Sequence, residues 1–320
     1  MRTTAHIFRR VWLAWLLGSV VWLVTSRPAS ARCVVQLQVP SVDWLGRNGA
    51  GYDVFDEVPF SQTVNFTVTK RGNDCPYFVT FSKNTPGNDA RTMASGGDTL
   101  KYQIYDTTSL RNVLKDLPSA APNEVLTGDF SPSDKLDQLS FVIAIPPLQI
   151  RSPGRYTDSV RVSLYQGTRS EPTLVQSVVI QISARVAATT RLSLVPSGSA
   201  FDPQSVTRSF DFGVLAQDQK LGCDLRVRSN SRYTVSFHSD SAGVLKHALM
   251  AAPDTVPYTF SADGTVLLLR TGADPTLGAS GANLSANGDV HPLAVTIGAL
   301  GNAAAGNYRD VITITVTADN

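Results

Sequence analysis

Two stretches of this sequence match each other without a gap at a constant spacing of 152 residues. The first is GRYTDSVRVSLYQG, from Gly154, and the second is GNYRDVITITVTADN, from Gly306. Apolar residues alternate with polar ones in both, which is typical of a strand with one buried face. The match extends upstream through three more aligned pairs: Phe141 and Leu293, Ile143 and Val295, Ile145 and Ile297. Each copy therefore predicts two strands joined by a turn that ends in glycine.

A second match lies nearer the start of each copy. VNFTV from Val64 resembles CDLRV from Cys223, and YFVTF from Tyr77 resembles YTVSF from Tyr233. Short alternating runs between Gly, Pro, Asn and Asp clusters fill the rest of the sequence, without long helical periodicity. The chain is therefore predicted to be all-β. We expect two immunoglobulin-like β-sandwich domains, residues 32–186 and 190–320, with a linker near residues 185–190.

The first 31 residues have the pattern of a secretory signal peptide. Arg9 and Arg10 precede an apolar run, and Ala29-Ser30-Ala31 fits a small-residue cleavage site. The alternative is a retained membrane anchor, but the apolar run is shorter than the roughly 20 residues that a spanning helix needs. We therefore expect an exported chain that begins near Arg32. The formal net charge of +2 indicates no basic field for nucleic acid.

Three cysteines occur, and an exported chain can keep disulfides. We expect Cys33 to pair with Cys75, because the predicted topology places both at one pole of the first domain. Cys223 aligns with Val64, an inward position of a strand. It is expected to be a buried free thiol, and the alternative is an intermolecular disulfide.

The two copies differ in the sequence after the shared strand. The first copy continues into TLVQSVVIQISARV, in which Val178, Ile180, Ile182 and Ala184 alternate with polar residues and predict a closing strand. The second ends at Asn320, about three residues after its last inward apolar residue. Burial of the four or five missing side chains would contribute roughly 1.5–3 kcal/mol each. We therefore expect the second domain to lack its last strand and to present an open groove with an unpaired edge.

The motif Gly-x-Tyr-x-Asp followed by alternating Val, Ile and Thr resembles the last strand of spore coat protein U domains. Its residues are Gly154, Tyr156 and Asp158 in the first copy, and Gly306, Tyr308 and Asp310 in the second. FDFGVLAQ from Phe210 resembles a Phe-Gly segment found earlier in that domain. The resemblance implies a subunit of an archaic chaperone–usher pilus, and two domains imply its tip adhesin. The second copy lacks the cysteine pair of the family.

This resemblance implies specific partners. A periplasmic chaperone and then an adjacent pilin would donate a strand to the second domain, and an outer-membrane usher would export the subunit to the cell surface. Cys33 and the first strand come directly after Arg32, so we expect no donor segment and hence a place at the pilus tip. The expected function is attachment to an abiotic or host surface and biofilm formation. The alternative is a stand-alone secreted coat or carbohydrate-binding protein whose second domain closes itself.

Enzyme chemistry is not expected. Outside the signal sequence the histidines are His238, His247 and His291, and none has metal-ligand spacing or a Ser-His-Asp arrangement. We expect no cofactor and no metal. Asp134 and Asp137 are interpreted as solvated rather than as an acid–base pair, and Asp158 and Asp310 as bonded to loop amides.

Two segments could bind a surface, because they place apolar residues among turn-forming ones. The first lies in a loop, residues 106–136, expected at the pole of the first domain far from the linker, together with loops 71–76 and 165–172. Its apolar residues are Val125, Leu126 and Phe130. The second, VDWLGRNGAGYDVF, is predicted to be a hairpin with Trp44, Leu45, Tyr52 and Phe55 around a Gly-rich centre. Clustered exposed apolar groups would bind greasy surfaces. The alternative is that these side chains cover the sandwich.

Overall fold

The computed structural model describes residues 32–82, 91–131, 133–249, 254–270, 274–280 and 287–319. The predicted signal peptide, residues 1–31, lies outside them. In the described residues, no helix is long and apolar enough to cross a membrane.

The structure is almost entirely β, as predicted. Residues 32–186 are here called the N-terminal half, and their described part contains ten strands and a short 3-10 helix, Pro122–Glu124. The strands are β1 (Val34–Gln38), β2 (Val42–Trp44), β3 (Phe60–Arg71), β4 (Pro76–Phe81), β5 (Arg91–Ser95), β6 (Asp98–Tyr105), β7 (Leu126–Asp129), β8 (Leu136–Ile145), β9 (Gly154–Thr168) and β10 (Glu171–Val186).

Residues 190–319, the C-terminal half, contain the remaining strands. These are β11 (Thr190–Val195), β12 (Lys220–Ser229), β13 (Tyr233–Ser239), β14 (Val244–His247), β15 (Thr255–Ala262), β16 (Thr265–Leu267), β17 (Thr276–Ser280), β18 (Asp289–Ile297), β19 (Tyr308–Arg309) and β20 (Ile312–Ala318).

The ten strands of the N-terminal half form one continuous, curled sheet. The order is β1-β3-β8-β6-β5-β9-β10-β2, and β4 joins it by pairing with β9 and β7. The hairpin of β5 and β6 connects the two layers, since β6 pairs with β8 in one layer and β5 touches β9 in the other at Ala94 and Thr157. The inward residues of both layers therefore meet in one core, as in a β-sandwich.

The predicted closing strand is confirmed as β10. It pairs antiparallel with β9 from Glu171 to Val186, with one register shift near Leu174. Ile180, Ile182 and Ala184 are buried on its inner face, and Val178 packs against the same core. On its other edge, β10 pairs in parallel with β2.

The C-terminal half repeats part of this plan. One sheet has the order β11-β12-β18-β15-β14-β19, with β16 on β15, and a second has the order β17-β13-β20. One large buried cluster and its packed neighbours come from residues 33–186, and another comes from residues 192–316. The division into two domains with a boundary at residues 185–190 stays a prediction.

Candidate functional site

The repeated motif places a tyrosine hydroxyl against the same two partners in each half. The Tyr156 hydroxyl lies 2.8 Å from the Ser152 carbonyl oxygen and 3.1 Å from Asp98 Oδ2. The Tyr308 hydroxyl lies 2.8 Å from the Ala304 carbonyl oxygen and 3.0 Å from Asp254 Oδ2. A hydroxyl that holds a carbonyl four residues upstream fixes the turn before the strand, as in the tyrosine corner of immunoglobulin-like domains.

The aspartates of the motif also have matching partners. Asp158 accepts a hydrogen bond from the Tyr102 hydroxyl at 2.8 Å, and Asp310 accepts one from the Tyr258 hydroxyl at 2.5 Å. Each carboxylate also accepts the amide of the next residue in the chain. The expected bonding to loop amides is therefore only partly right, because each aspartate also accepts a hydrogen bond from a tyrosine that is far away in the sequence.

The partners of the motif tyrosine and aspartate also belong to a repeated sequence, which the alternation of apolar residues does not reveal. These partners lie in DTLKY at residues 98–102 and DTVPY at residues 254–258. In each segment the aspartate bonds the motif tyrosine and the tyrosine bonds the motif aspartate. A third pair is also duplicated, with the Tyr77 hydroxyl on Asp137 and the Tyr233 hydroxyl on Asp289. Asp137 is therefore a partner of a buried tyrosine and not a solvated charge. The repeat extends to hydrogen bonds between strands.

The glycine of the motif is required by close packing. A side chain at Gly306 would overlap the His247 ring, and one at Gly154 would meet Ser95. His247 ends β14 and Ser95 ends β5, so the same neighbour occupies this space in both halves. The glycines let the strand that carries the motif approach its neighbour closely.

The two copies of the motif strand differ in burial. In β9, the inward residues Val160, Val162 and Leu164 are fully buried. Their counterparts in β20, Ile312, Ile314 and Val316, are only partly buried, although they pack against the core of the C-terminal half. Apolar side chains of the same size and register therefore remain partly in contact with water in the second copy.

The difference in burial follows from the strands that pair with β9 and with β20. β9 lies between β4 and β10, whereas β20 pairs with β13 alone among the described strands. The second edge of β20 carries backbone N–H and C=O groups that pair with none of the described strands. Such an edge next to partly buried apolar residues is a template for another strand.

The predicted adhesive residues of the distal segment are mostly buried. Val125 packs with Phe78 and Ala120 in a small cluster of its own, and Phe130 stacks on Tyr77 with ring centroids 5.0 Å apart. Leu126 is partly buried against the main core. The expectation that Val125 and Phe130 are exposed is therefore wrong, because β7 of this segment pairs with β4 and the two side chains pack on adjacent β4 residues, Phe78 and Tyr77.

The second predicted segment also differs from expectation. Residues 42–55 do not form a hairpin, because β2 pairs in parallel with β10 and Tyr52 forms a bridge with Val186. Trp44, Tyr52 and Phe55 are buried, and of the predicted residues there only Leu45 is exposed. The Tyr52 hydroxyl donates to the Pro146 carbonyl, and burial raises its pKa to about 12.

This segment also lies at the linker end and not at the distal pole. Asp53 forms an ion pair with Arg191 at 2.7 Å, and the Arg191 guanidinium lies 5.8 Å from the centre of the Phe55 ring. Gly51 has a φ of +100°, and a side chain there would meet the Arg185 carbonyl. The segment thus packs where β10 leaves the N-terminal half.

The predicted disulfide is confirmed between Cys33 and Cys75. It joins the start of β1 to the loop before β4. The ends of the neighbouring strands lie at the same pole, because Val34 pairs with Arg71 and Leu136 with Thr69. Four apolar residues near this pole are exposed: Val34, Leu136, Leu174 and Val175.

Cys223 is free and buried, and burial raises the pKa of its thiol. No set of three or more His, Cys, Asp or Glu side chains that could hold a metal ion occurs in the described part of the chain. His238 forms an exposed pair with Asp274. That hydrogen bond raises the pKa of His238.

Comparison with known proteins gives one family match. Residues 29–163 match the Spore Coat Protein U domain, in agreement with the resemblance predicted for this part of the sequence. No curated protein matches the chain.

Several solved structures are similar to this one. One is the CsuC–CsuE chaperone–tip adhesion subunit pre-assembly complex from the archaic chaperone–usher Csu pili of Acinetobacter baumannii, with 16% identity, a TM-score of 0.49, and coverage of 88% of this chain and 99% of that chain. Another is the CupB6 tip adhesin from Pseudomonas aeruginosa, with 12% identity, a TM-score of 0.36, and coverage of 91% and 96%. A third is CfaE, the adhesive subunit of CFA/I fimbria of enterotoxigenic Escherichia coli, with 12% identity, a TM-score of 0.31, and coverage of 90% and 82%.

Proposed function

We propose that this chain, whose residues 29–163 match the Spore Coat Protein U domain, is the tip adhesin subunit of a chaperone–usher pilus. In this proposal residues 32–186 form the adhesin domain and residues 190–320 form a pilin-like domain that accepts a strand. The open edge of β20 carries the proposal. β9 carries the same motif and pairs with β10. The N-terminal half therefore contains the strand pairing that β20 lacks.

The energy of the site supports strand acceptance. Ile312, Ile314 and Val316 are partly buried where their counterparts in β9 are fully buried. Inserting a strand next to β20 would bury them, and would bury its own inward residues at roughly 1.5–3 kcal/mol per large side chain. It would also pair the free backbone edge of β20. The C-terminal half should therefore gain much of its stability from a partner.

The partners are inferred from this arrangement. A periplasmic chaperone would cover the edge of β20 first, and an adjacent pilin subunit would then replace it. An outer-membrane usher would export the complex, which places the protein at the cell surface. Contact with an abiotic or host surface, and hence biofilm formation, would be the task of the N-terminal half.

The exposed apolar residues at the distal pole are the ones we assign to surface contact. Val34, Leu136 and Leu174 are each more than half exposed. The Cys33–Cys75 disulfide fastens the same pole. Buried Val125 and Phe130 would support this surface from below, and Leu45 lies away from it on the segment that packs at the linker end.

The experiment compares three variants in cells that assemble the pilus. Leu136→Ser with Leu174→Ser changes the distal surface, Phe130→Ser changes the core, and Val266→Ser changes an equally exposed residue of the C-terminal half. Pili are counted by microscopy with immunogold labelling of this chain, and cells retained on a hydrophobic surface are counted separately.

We expect the distal variant to keep its pili and lose retention, the core variant to lose its pili, and Val266→Ser to behave as the wild type. Unchanged retention in the distal variant would place the binding surface elsewhere. Gold along the whole shaft would refute the tip assignment. A cooperative, monomeric unfolding transition of residues 190–320 alone would instead favour a stand-alone secreted coat or carbohydrate-binding protein.

A further inference from the structure

A cavity lies beside Trp44, at the end of the N-terminal half where the chain leaves β10. Its volume is about 170 Å³, and its walls come from β2, the segment between β2 and β3, the turn after β8, and residues 187 and 189. One water molecule needs only roughly 10–15 Å³, and pockets for drug-sized ligands have roughly 300–1,000 Å³. The cavity therefore has room for one small ring.

Three aromatic side chains line the cavity. The Trp44 indole contacts Tyr52, with ring centroids 6.0 Å apart, and Phe60, with ring centroids 5.4 Å apart and an interplanar angle of 78°. Trp44 and Tyr52 are buried, whereas Phe60 at the start of β3 is only partly buried. These contacts fix the position of the indole before a ligand binds.

The charged groups of the cavity already have partners of opposite charge. Arg47 Nε lies 3.6 Å from Asp56 Oδ2, and Arg47 Nη2 donates to the Val58 carbonyl at 3.1 Å. Asp53 pairs with Arg191 at 2.7 Å. A neutral ligand therefore fits this site better than a charged one, because a charged ligand would lose its hydration without gaining an unpaired partner.

Two polar groups of the cavity residues have no such partner. Trp44 Nε1 is buried and donates a hydrogen bond to none of the described residues. A buried indole N–H usually finds an acceptor, and leaving it without one lowers stability. The Asn48 amide is exposed, in a turn that the Gly51 amide closes by donating to the Leu45 carbonyl at 2.9 Å. It too bonds to no residue in the described part of the chain.

We propose that this cavity binds one neutral sugar residue. One sugar hydroxyl accepts a hydrogen bond from Trp44 Nε1 and another bonds to the Asn48 amide, since a hydroxyl can both accept and donate. The C–H groups of the sugar ring pack against Phe60 and the exposed Val58. A hydrocarbon of the same size would leave the indole N–H without an acceptor. The site is separate from the open edge of β20 and from the distal pole.

The test observes the indole directly in the exported chain. Trp44 is the only tryptophan in residues 32–320, so labelling tryptophan with nitrogen-15 gives one indole N–H signal. Glucose, galactose, mannose and N-acetylglucosamine are titrated separately, with glucuronate as the charged probe and phenol as the apolar one. We expect at least one neutral sugar to move the indole hydrogen signal downfield, as a new hydrogen bond does. A ligand this small should bind with a Kd in the millimolar range.

Variants separate this site from other surfaces. Asn48→Ala should weaken binding of that sugar roughly three- to tenfold, whereas Asn65→Ala, at an exposed asparagine of β3 outside the cavity, should bind it as the wild type does. Leu136→Ser with Leu174→Ser should also leave sugar binding unchanged, so a failure of surface attachment and a failure of this proposal are distinguishable. An indole signal that no neutral sugar moves, a response to glucuronate or phenol alone, or equal affinities of Asn48→Ala and Asn65→Ala would overturn the proposal.

Discussion

Removing the hydroxyl of the motif tyrosine should cost more in the N-terminal half than in the C-terminal half. Tyr156→Phe deletes the hydroxyl of a fully buried side chain, which holds the Ser152 carbonyl at 2.8 Å. The carbonyl and the nearby Asp98 carboxylate then lose the one hydroxyl hydrogen that they share, which water replaces only in part because the Asp98 side chain is 26% exposed, at about 1–3 kcal/mol. Tyr308→Phe deletes the same bond to Ala304, but Tyr308 is only partly buried. Water can take over there, and the cost should be smaller.

The assay separates the two halves. Trp44 is the only tryptophan after residue 31 and is buried in the N-terminal half, so its fluorescence in urea reports the cost of Tyr156→Phe. Hydrogen exchange of residues 304–312 reports the cost of Tyr308→Phe. Equal costs at both positions would refute the argument that the open edge of β20 leaves Tyr308 in contact with water. Adding a strand that covers this edge should raise the cost of Tyr308→Phe toward that of Tyr156→Phe.

Three further results are expected. Replacing Cys33 and Cys75 with alanine removes a link that closes 42 residues, and should lower the free energy of unfolding of the N-terminal half by roughly 4 kcal/mol in urea titrations; a loss below about 1 kcal/mol would contradict the entropic argument. Phe130→Ala should cost about 3–5 kcal/mol by Trp44 fluorescence, because the ring is buried against Tyr77, and a neutral effect would mean that the segment is not packed. Burial opposes ionisation of Asp98, but hydrogen bonds from the Ser152 and Thr99 amides and the Tyr156 hydroxyl outweigh it and lower the pKa of Asp98. The ionised carboxylate therefore stabilises the fold above the unfolded pKa of about 4, and this contribution is lost as the pH falls below it. Asp98→Asn should flatten part of the acid unfolding curve between about pH 4 and 2.

The strand pattern was predictable because both copies of the repeat have the same alternation of apolar and polar residues. The aligned segments became β8 with β18 and β9 with β20, and the shorter matches became β3 with β12 and β4 with β13. The closing strand was predictable from its period of two. These are local signals, because the alternation of apolar and polar residues within a strand shows which of its side chains face inward.

The placement of Trp44 and Phe130 was not predictable in the same way. Apolar residues among glycine, proline and aspartate indicate either an exposed loop or a loop that folds back over a sheet. The choice depends on partners far away in the sequence: β2 pairs with β10, about 140 residues later, and Phe130 stacks on Tyr77. No local pattern encodes such pairings. The polar network was different, since DTLKY and DTVPY are visible in the sequence and could have been matched.

The duplicated network also bears on how an incomplete half can remain folded. All three tyrosine–aspartate pairs recur in the C-terminal half, although its inward residues on β20 are less buried. Hydrogen bonds between strands fix positions without needing a filled core, whereas apolar contacts weaken as soon as a neighbouring strand is absent. The start of β20 is therefore held by polar contacts, because Asp310 accepts hydrogen bonds from Tyr258 of β15 and Ser239 of β13, and the apolar face of β20 stays available. An edge that is positioned but not covered is what a donated strand needs, because the partner then gains the whole of the apolar contact on binding.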